Sequence, residues 1–571
     1  MATFMDLPNE LLHQILRYII IPEDLTTYNQ LRLVTHRFNA YVLPLIYKNA
    51  TILYEPYQPI PNHAESILFD SNNENIQYIK RLSIKMRLPG RHSSRFWPVT
   101  ADTPQWGLEN GGSLGDVDEY RERLEKGVAG LLGRLRRDQL VVFECEAHKL
   151  VDYTALFASQ RSLQQVLANP SDLISQMNAN DDGDLPNIAT LLPNLKHLFF
   201  RGFLPFKQDQ HQLLTKQFIQ PQANILKTLS INISKVAIQG VSHSAELKSH
   251  GAPEMEIKET DSGYETLTAG LQLELLSFPN LEKLTIQGRY DSVPVVRSNF
   301  VFSLEMPIIS KMIPLHSLKR LTLIYCNQLD STYNSWPTSL PNLTHLHVEK
   351  SLTVNRVGDI IIKLAPILQH LHISRIPRST ARNACFVRTV VRHHASTLKS
   401  IWVGQGHFIK HRSPNAPGLL AISNFRAYFQ GLEEVAIQIR PKTAWATACT
   451  WAALPKLRLL RLIWTDTPYS NITEKLAEVV QRIWSLRSNH DLFGTELFPQ
   501  QFWLVYGIYK DPFFASAGHE TSPKGRVLKS WREQSGEIAV VETGFREARR
   551  AMPESIILES LREEASNWEV W

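Results

Sequence analysis

One short alternation of apolar and polar positions returns along most of this chain. It reads "LKHLFF" from Leu195, "LKTLSI" from Leu226, "LEKLTI" from Leu281, "LKRLTL" from Leu318 and "LTHLHV" from Leu343. It continues as "LQHLHI" from Leu368, "LKSIWV" from Leu398, "LEEVAI" from Leu432 and "LRLLRL" from Leu457. The apolar first, fourth and sixth positions predict a strand with the fourth and sixth side chains in a core and the third and fifth on the opposite face. From Leu318 to Leu457 the intervals are 25, 25, 30, 34 and 25 residues, enough for one strand and one returning helix or loop. Earlier they widen to 31, 55 and 37. The longest gap holds Gly240 to Thr266, rich in Ser, Gly and charge and without apolar periodicity, which predicts a flexible insertion over 234–270. "IKRLSI" at Ile79 and "LVVFEC" at Leu140 are candidate earlier strands separated by polar loops.

The phrase, with Cys326 and Leu329 extending "LKRLTLIYCNQL", is similar to the core of a leucine-rich repeat. That resemblance implies a solenoid whose parallel sheet curves around a concave recognition surface. The third and fifth positions become its columns: Lys283 and Thr285, Arg320 and Thr322, His345 and His347, His370 and His372, Ser400 and Trp402. Arg320, His345, His347, His370, His372 and Trp402 are the candidate partner-binding residues, because Arg and aromatic side chains dominate interface hot spots. Strands roughly 4.8 Å apart would let the four imidazoles converge, either on a divalent metal or as a charge switch near neutral pH. Neither phrase supplies an orienting carboxylate, so no metal or other cofactor is assigned.

The first fifty residues have a different, helical pattern. Leu11, Leu12, Ile15, Leu16 and Ile19 form one wide apolar stripe, with Pro8 in the first turn and Glu10 at the positive end of the helix dipole. A second helix carries Leu25, Leu31 and Val34, and a third Phe38, Val42, Leu45, Ile46 and Tyr47. Three short helices make a very small core, so help from a partner is expected. The run Leu7-Pro8-x-Glu10-Leu11-Leu12-x-x-Ile15-Leu16, then Leu31-Arg32-Leu33-Val34-x-x-Arg37-Phe38 and Pro44-Leu45-Ile46-Tyr47, resembles the F-box, particularly of fungal proteins. Phe38 stands where a Trp is often found, which keeps an apolar ring. The resemblance covers about residues 3 to 50. It implies docking on a Skp-type adaptor, and through it on a cullin ligase, by Leu7, Pro8, Leu11, Leu12, Ile15, Leu16, Leu31, Val34 and Phe38. The competing structural reading is a helical cap on the following repeats.

The expected fold class is α/β: a three-helix F-box over 1–50, irregular first repeats over 51–190, a repeat solenoid over 191–465, and a helical and aromatic cap and tail over 466–571. Within that tail "NITEKLAEVVQRIWSLRS" predicts an amphipathic helix suited to cover the open end of the sheet.

Composition narrows function mainly by exclusion. The 61 basic and 55 acidic residues are mixed along 571 positions, which disfavours nucleic acid as a partner. No run approaches the roughly 20 apolar residues that cross a bilayer, and the N-terminus lacks a secretory leader, so a cytoplasmic or nuclear protein is expected. Cys145, Cys326, Cys385 and Cys449 form no Cys-x-x-Cys pair and read as buried thiols. Phosphate-loop, dinucleotide, nucleophile-elbow and zinc-protease motifs are missing, so no enzyme is expected. "NANDDGDLPNIA" lacks the first and last ligands of a calcium loop and reads as an acidic turn, and adjacent His393 and His394 point to different sides. The expected function is the substrate-recognition subunit of a cullin-type ubiquitin ligase, its solenoid binding an unknown target protein. The alternatives are a non-catalytic interaction scaffold and a metal- or pH-responsive binder using the His pairs.

Overall fold

The computed structural model describes residues 11, 36–54, 67–86, 114–147, 149–179, 191–203, 214–234, 276–289, 316–324, 340–349, 361–362, 364–376, 392–405, 429–438, 451–464, 472–488, 499–508, 526–533, 535–555 and 557–559. The chain divides into two compact units, 1–238 and 239–571. The division falls inside the insertion expected over 234–270, of which 235–270 lies outside the described residues.

In the first unit, helix α1 (His36–Tyr47) leads into six strands in sequence order: β1 (Asn49–Tyr54), β2 (Arg81–Met86), β3 (Val142–Cys145), β4 (Gln165–Ala168), β5 (His197–Phe203) and β6 (Thr228–Ser234). Each pairs in parallel with the next. Parallel neighbours need a crossover, and α2 (Leu114–Arg134), α3 (Tyr153–Ser159) and α4 (Pro170–Ala179) lie in the intervening segments. Helix α2 buries Tyr120, Leu124, Val128 and Leu131, a four-four-three spacing that makes one apolar stripe. Helix α3 begins at an N-cap, where the Asp152 carboxylate accepts from the Ala155 amide at 3.0 Å.

The strands at Ile79 and Leu140 form as the alternation requires. Two others, β1 and β4, follow degenerate versions of the phrase, Tyr47-x-x-Ala50-x-Ile52 and Leu163-x-x-Val166-x-Ala168, whose small or aromatic residues disguise it. Cys145 is fully buried, and burial pushes its thiol up to about 12, as an inert structural cysteine requires. The other three cysteines and residues 180–190 of the acidic turn lie outside the described residues.

In the second unit the phrases build β7 (Lys283–Arg289), β8 (Arg320–Ile324), β9 (His345–Glu349), β10 (His370–Ile376), β11 (Ser400–Gln405), β12 (Glu434–Gln438) and β13 (Leu459–Trp464). All pair in parallel in sequence order. Where their burial is described, the first, fourth and sixth phrase positions are buried, as with Leu281, Leu284 and Ile286 or Leu368, Leu371 and Ile373. Each such side chain contributes roughly 1.5–3 kcal/mol relative to exposure.

The Pro-Asn and Pro-Lys that precede many phrases also have a physical role. In Leu340-Pro341-Asn342-Leu343 and Leu454-Pro455-Lys456-Leu457 the last amide donates to the first carbonyl, at 3.4 and 3.4 Å, closing a β-turn in which Pro presets the backbone of its second position. The Asn342 side-chain amide then donates to the His316 carbonyl at 2.6 Å, in the turn of the preceding repeat. The second residue of each phrase continues the stitching: the Lys319 amide donates to Glu282, Thr344 to Lys319, Gln369 to Thr344 and Lys399 to Gln369, at 2.7–3.0 Å.

Beyond β13 the structure departs from a cap and tail. "FPQQFWLVYGI" supplies β14 (Gln501–Ile508), parallel to β13, and two antiparallel strands follow, β15 (Arg526–Arg532) and β16 (Ile538–Thr543). The amphipathic helix forms as α5 (Ile472–Arg487) and buries Leu476, Val479, Val480 and Ile483. It packs against β16, the last strand of the sheet. It is the crossover between β13 and β14, where the buried Arg487 guanidinium donates to the Leu454 and Leu457 carbonyls and the Trp484 indole donates to Ser530. A last helix, α6 (Phe545–Ala551), follows β16. No helix among the described residues is long and apolar enough to cross a membrane.

Candidate protein-recognition surface

Register sets which side chains meet on the face opposite the Leu columns. Arg320, His345, His370, Ser400, Glu434 and Leu459 pair in order across β8 to β13, and Thr322, His347, His372, Trp402, Ala436 and Arg461 pair beside them. The six partner-binding candidates therefore share one face, as parity predicts. His345 and His370 stack with ring centres 4.1 Å apart, and His347 and His372 at 3.7 Å and 7°. Trp402 stacks 3.7 Å beyond His372, again with nearly parallel rings, and the Arg461 guanidinium carbon lies 4.2 Å from the Trp402 ring centre.

Stacking changes what the imidazoles can do. Rings packed face to face direct their nitrogens side by side rather than at one centre, and no group of three or more His, Cys, Asp or Glu among the described residues is arranged to hold a metal. Burial, reinforced by His370, Arg320 and Lys283, pushes His345 down to about 3. Burial, with Arg320 and Lys399, pushes His370 down to about 4. These two rings stay neutral near pH 7, against the expectation of a charge change there. His393 and His394 meet edge to face, and His394 is buried on the Ile361 carbonyl at 2.8 Å, which is a structural contact.

The face is not open along its whole length. His372 and Trp402 are 5% and 3% exposed, whereas a free solenoid face would leave them accessible. His372 lies between the His347 and Trp402 rings, and over Trp402 the cover is the chain's own C-terminal segment. Ala548, Met552, Ile557 and Leu558, with Phe545 at the margin, pack against Trp402, Ala436, Leu459, Trp503, Val505 and Val527. Glu559 reaches Lys283 at 3.7 Å and Arg320 at 3.5 Å, while Glu554 accepts from Arg458 at 2.5 Å.

Between these ion pairs, buried Glu434 faces the Ser555 hydroxyl, Arg458, the Ile557 amide and the Ser400 hydroxyl. Burial nevertheless pushes its carboxyl up to about 7. Sequence reasoning missed Glu434 and Arg461, although the third and fifth positions of "LEEVAI" and "LRLLRL" hold them. It also missed the covering segment, which parity has no means to reveal.

The equivalent face of the first unit carries its own polar network. The Glu144 carboxylate accepts from Arg81 at 2.6 Å, Ser83 at 2.7 Å and Gln165 at 2.8 Å, and His197 meets Thr228 at 3.0 Å.

Of the adaptor-binding candidates, Leu11 is described, and it is 45% exposed. Phe38 belongs to helix α1. Leu7, Pro8, Leu12, Ile15, Leu16, Leu31 and Val34 lie outside the described residues. No family model and no curated protein matches this chain.

Proposed function

We propose that the chain is the substrate-recognition subunit of a cullin-type ubiquitin ligase, its first fifty residues binding a Skp-type adaptor and its repeat strands binding the target protein. The observation that carries this reading is the amphipathic N-terminal run with a large apolar side chain, Leu11, held nearly half in water. A helix laid into a partner's groove presents such an apolar side chain outward. The parallel strands supply the second half: a broad face of aromatic, imidazole and guanidinium groups suits protein recognition, and a rigid sheet suits a subunit that acts by holding a target lysine near a recruited conjugating enzyme. The chain itself makes and breaks no bonds.

The test is co-purification of the full-length chain with adaptor and cullin. Both are expected to be captured, and replacing Leu7 and Pro8 with Asp and Ala is expected to release them while a bound target accumulates. Retention of adaptor by that variant overturns the proposal, and loss of adaptor without accumulation of a partner favours a scaffold.

A further inference from the structure

The segment covering the second unit's face is held as a ligand is held. Its backbone bonds are made within itself: the Met552 amide donates to Ala548, Ser555 to Met552, and Glu559 to Ser555, at 2.9–3.1 Å. The strand ladder beneath is complete without it, each strand from β7 to β16 bonding to its sequence neighbours. What joins the two is side-chain chemistry of the interface kind. Trp402 and Trp503 share one buried apolar cluster with Met552, Ile557 and Leu558, and partly exposed ion pairs flank it, Glu554 with Arg458 and Glu559 with Arg320 and Lys283.

Glu434 is the telling residue. A carboxylate 3% exposed on a sheet face weakens the fold unless polar groups face it, and across the interface Glu434 faces the Ser555 hydroxyl and the Ile557 amide at the start of the last helical turn, while its Oε2 has no hydrogen-bond partner among the described residues. It sets a polar group opposite a hydroxyl and a backbone amide at one fixed place on the segment.

We propose that Phe545 to Glu559 is a self-ligand, and that the external partner of this face is a protein segment of the same chemistry: a Ser or Thr, then two adjacent aliphatic residues two positions on, then a carboxylate. Such a partner engages by displacing the resident segment, whose tether gives it an effective concentration in roughly the millimolar range. The inference rests on reading this face as the target-binding surface and is independent of the adaptor-binding half.

Two measurements on the full-length chain test it. In hydrogen exchange of the unmodified protein, amides of 548–559 are expected to exchange at least about ten-fold faster than those of β10 to β12, through opening of the segment alone. Equal protection means that segment and sheet form one indivisible core and overturns the proposal. A fluorescein-labelled peptide of residues 545–571 is expected to bind a Glu554→Lys, Glu559→Lys chain at least about ten-fold more tightly than the unmodified one, whose own segment competes. Adding Arg458→Glu is expected to abolish that gain. Equal affinity for the unmodified and doubly substituted chains overturns the proposal. Adaptor capture reads only the N-terminal residues, so failure here leaves the ligase reading intact, and failure of adaptor capture leaves this result intact.

Discussion

The guanidinium of Arg461 rests on the ring of Trp402 at 4.2 Å, although β12 runs between their strands. The residue in register between them is Ala436, fully buried, and its methyl leaves just enough room for the Arg side chain to pass. Ala436→Leu is therefore expected to destabilise the second unit by about 1–3 kcal/mol through overpacking, with up to about 2 kcal/mol more from the lost cation–π contact. Urea unfolding followed by tryptophan fluorescence measures it. An unchanged midpoint contradicts the packing described.

Glu434 makes docking of the C-terminal segment depend on pH, with a definite sign. Covered, its carboxyl is pushed up to about 7 by burial; uncovered, it returns toward its ordinary 4.5. Below about 4.5 both states hold the proton and pH has no effect through this group. Between about 4.5 and 7 the open state ionises first, and above 7 docking is weakened by on the order of 3 kcal/mol. The charged neighbours are Arg458, which favours ionisation, and Glu433 and Glu554 on the far side of that Arg. Glu554 is held below the carboxylate range by its own backbone amide and by Arg458, so it stays charged through this window. Protection factors of 552–559, with the intrinsic pH dependence of exchange divided out, are expected to fall from pH 5 to 8, and Glu434→Gln to flatten that profile.

His345 and His370 behave differently despite sharing that column. With their rings at about 3 and about 4, both remain neutral from pH 5.5 to 7.5. Replacing both with Gln is expected to leave the pH dependence of peptide binding unchanged across that range, in an anisotropy titration. A curve that shifts would return these two rings to the role of sensor.

In the first unit, burial raises Glu144, but hydrogen bonds from Arg81 and Ser83 and the charge of Arg81 outweigh it and hold the carboxyl below its ordinary value. A depressed carboxyl contributes stability above its unfolded value and loses it as pH falls through the folded one. Glu144→Gln is expected to cost about 2 kcal/mol at pH 7 and much less in acid. Thermal melts at pH 7 and pH 3 measure the difference.

Much of the sheet was legible because its strands carry their own punctuation. The nine Leu phrases each became a strand, since a turn, a buried Leu and period-2 alternation all point the same way. Strands β1 and β4 escaped notice because Ala50, Val166 and Ala168 replace the leucines, and β14 to β16 because aromatic and antiparallel strands obey no such phrase. The stacked face was legible for the same reason of parity, as His345, His347, His370, His372 and Trp402 show. That Trp402 is covered was not, because alternation says which way a side chain points and nothing about what arrives from 150 residues away to meet it.

The Asn342 amide that reaches back to His316 ties its corner to the corner before it, as Asn194 does to Arg161 and Ser317 to Pro279. Bookkeeping of this local kind lets a lineage lengthen or shorten the excursions between strands, here from 25 to 55 residues, without re-solving the fold. Novelty in such a protein accumulates in its loops, while the frame that displays them keeps time by its corners.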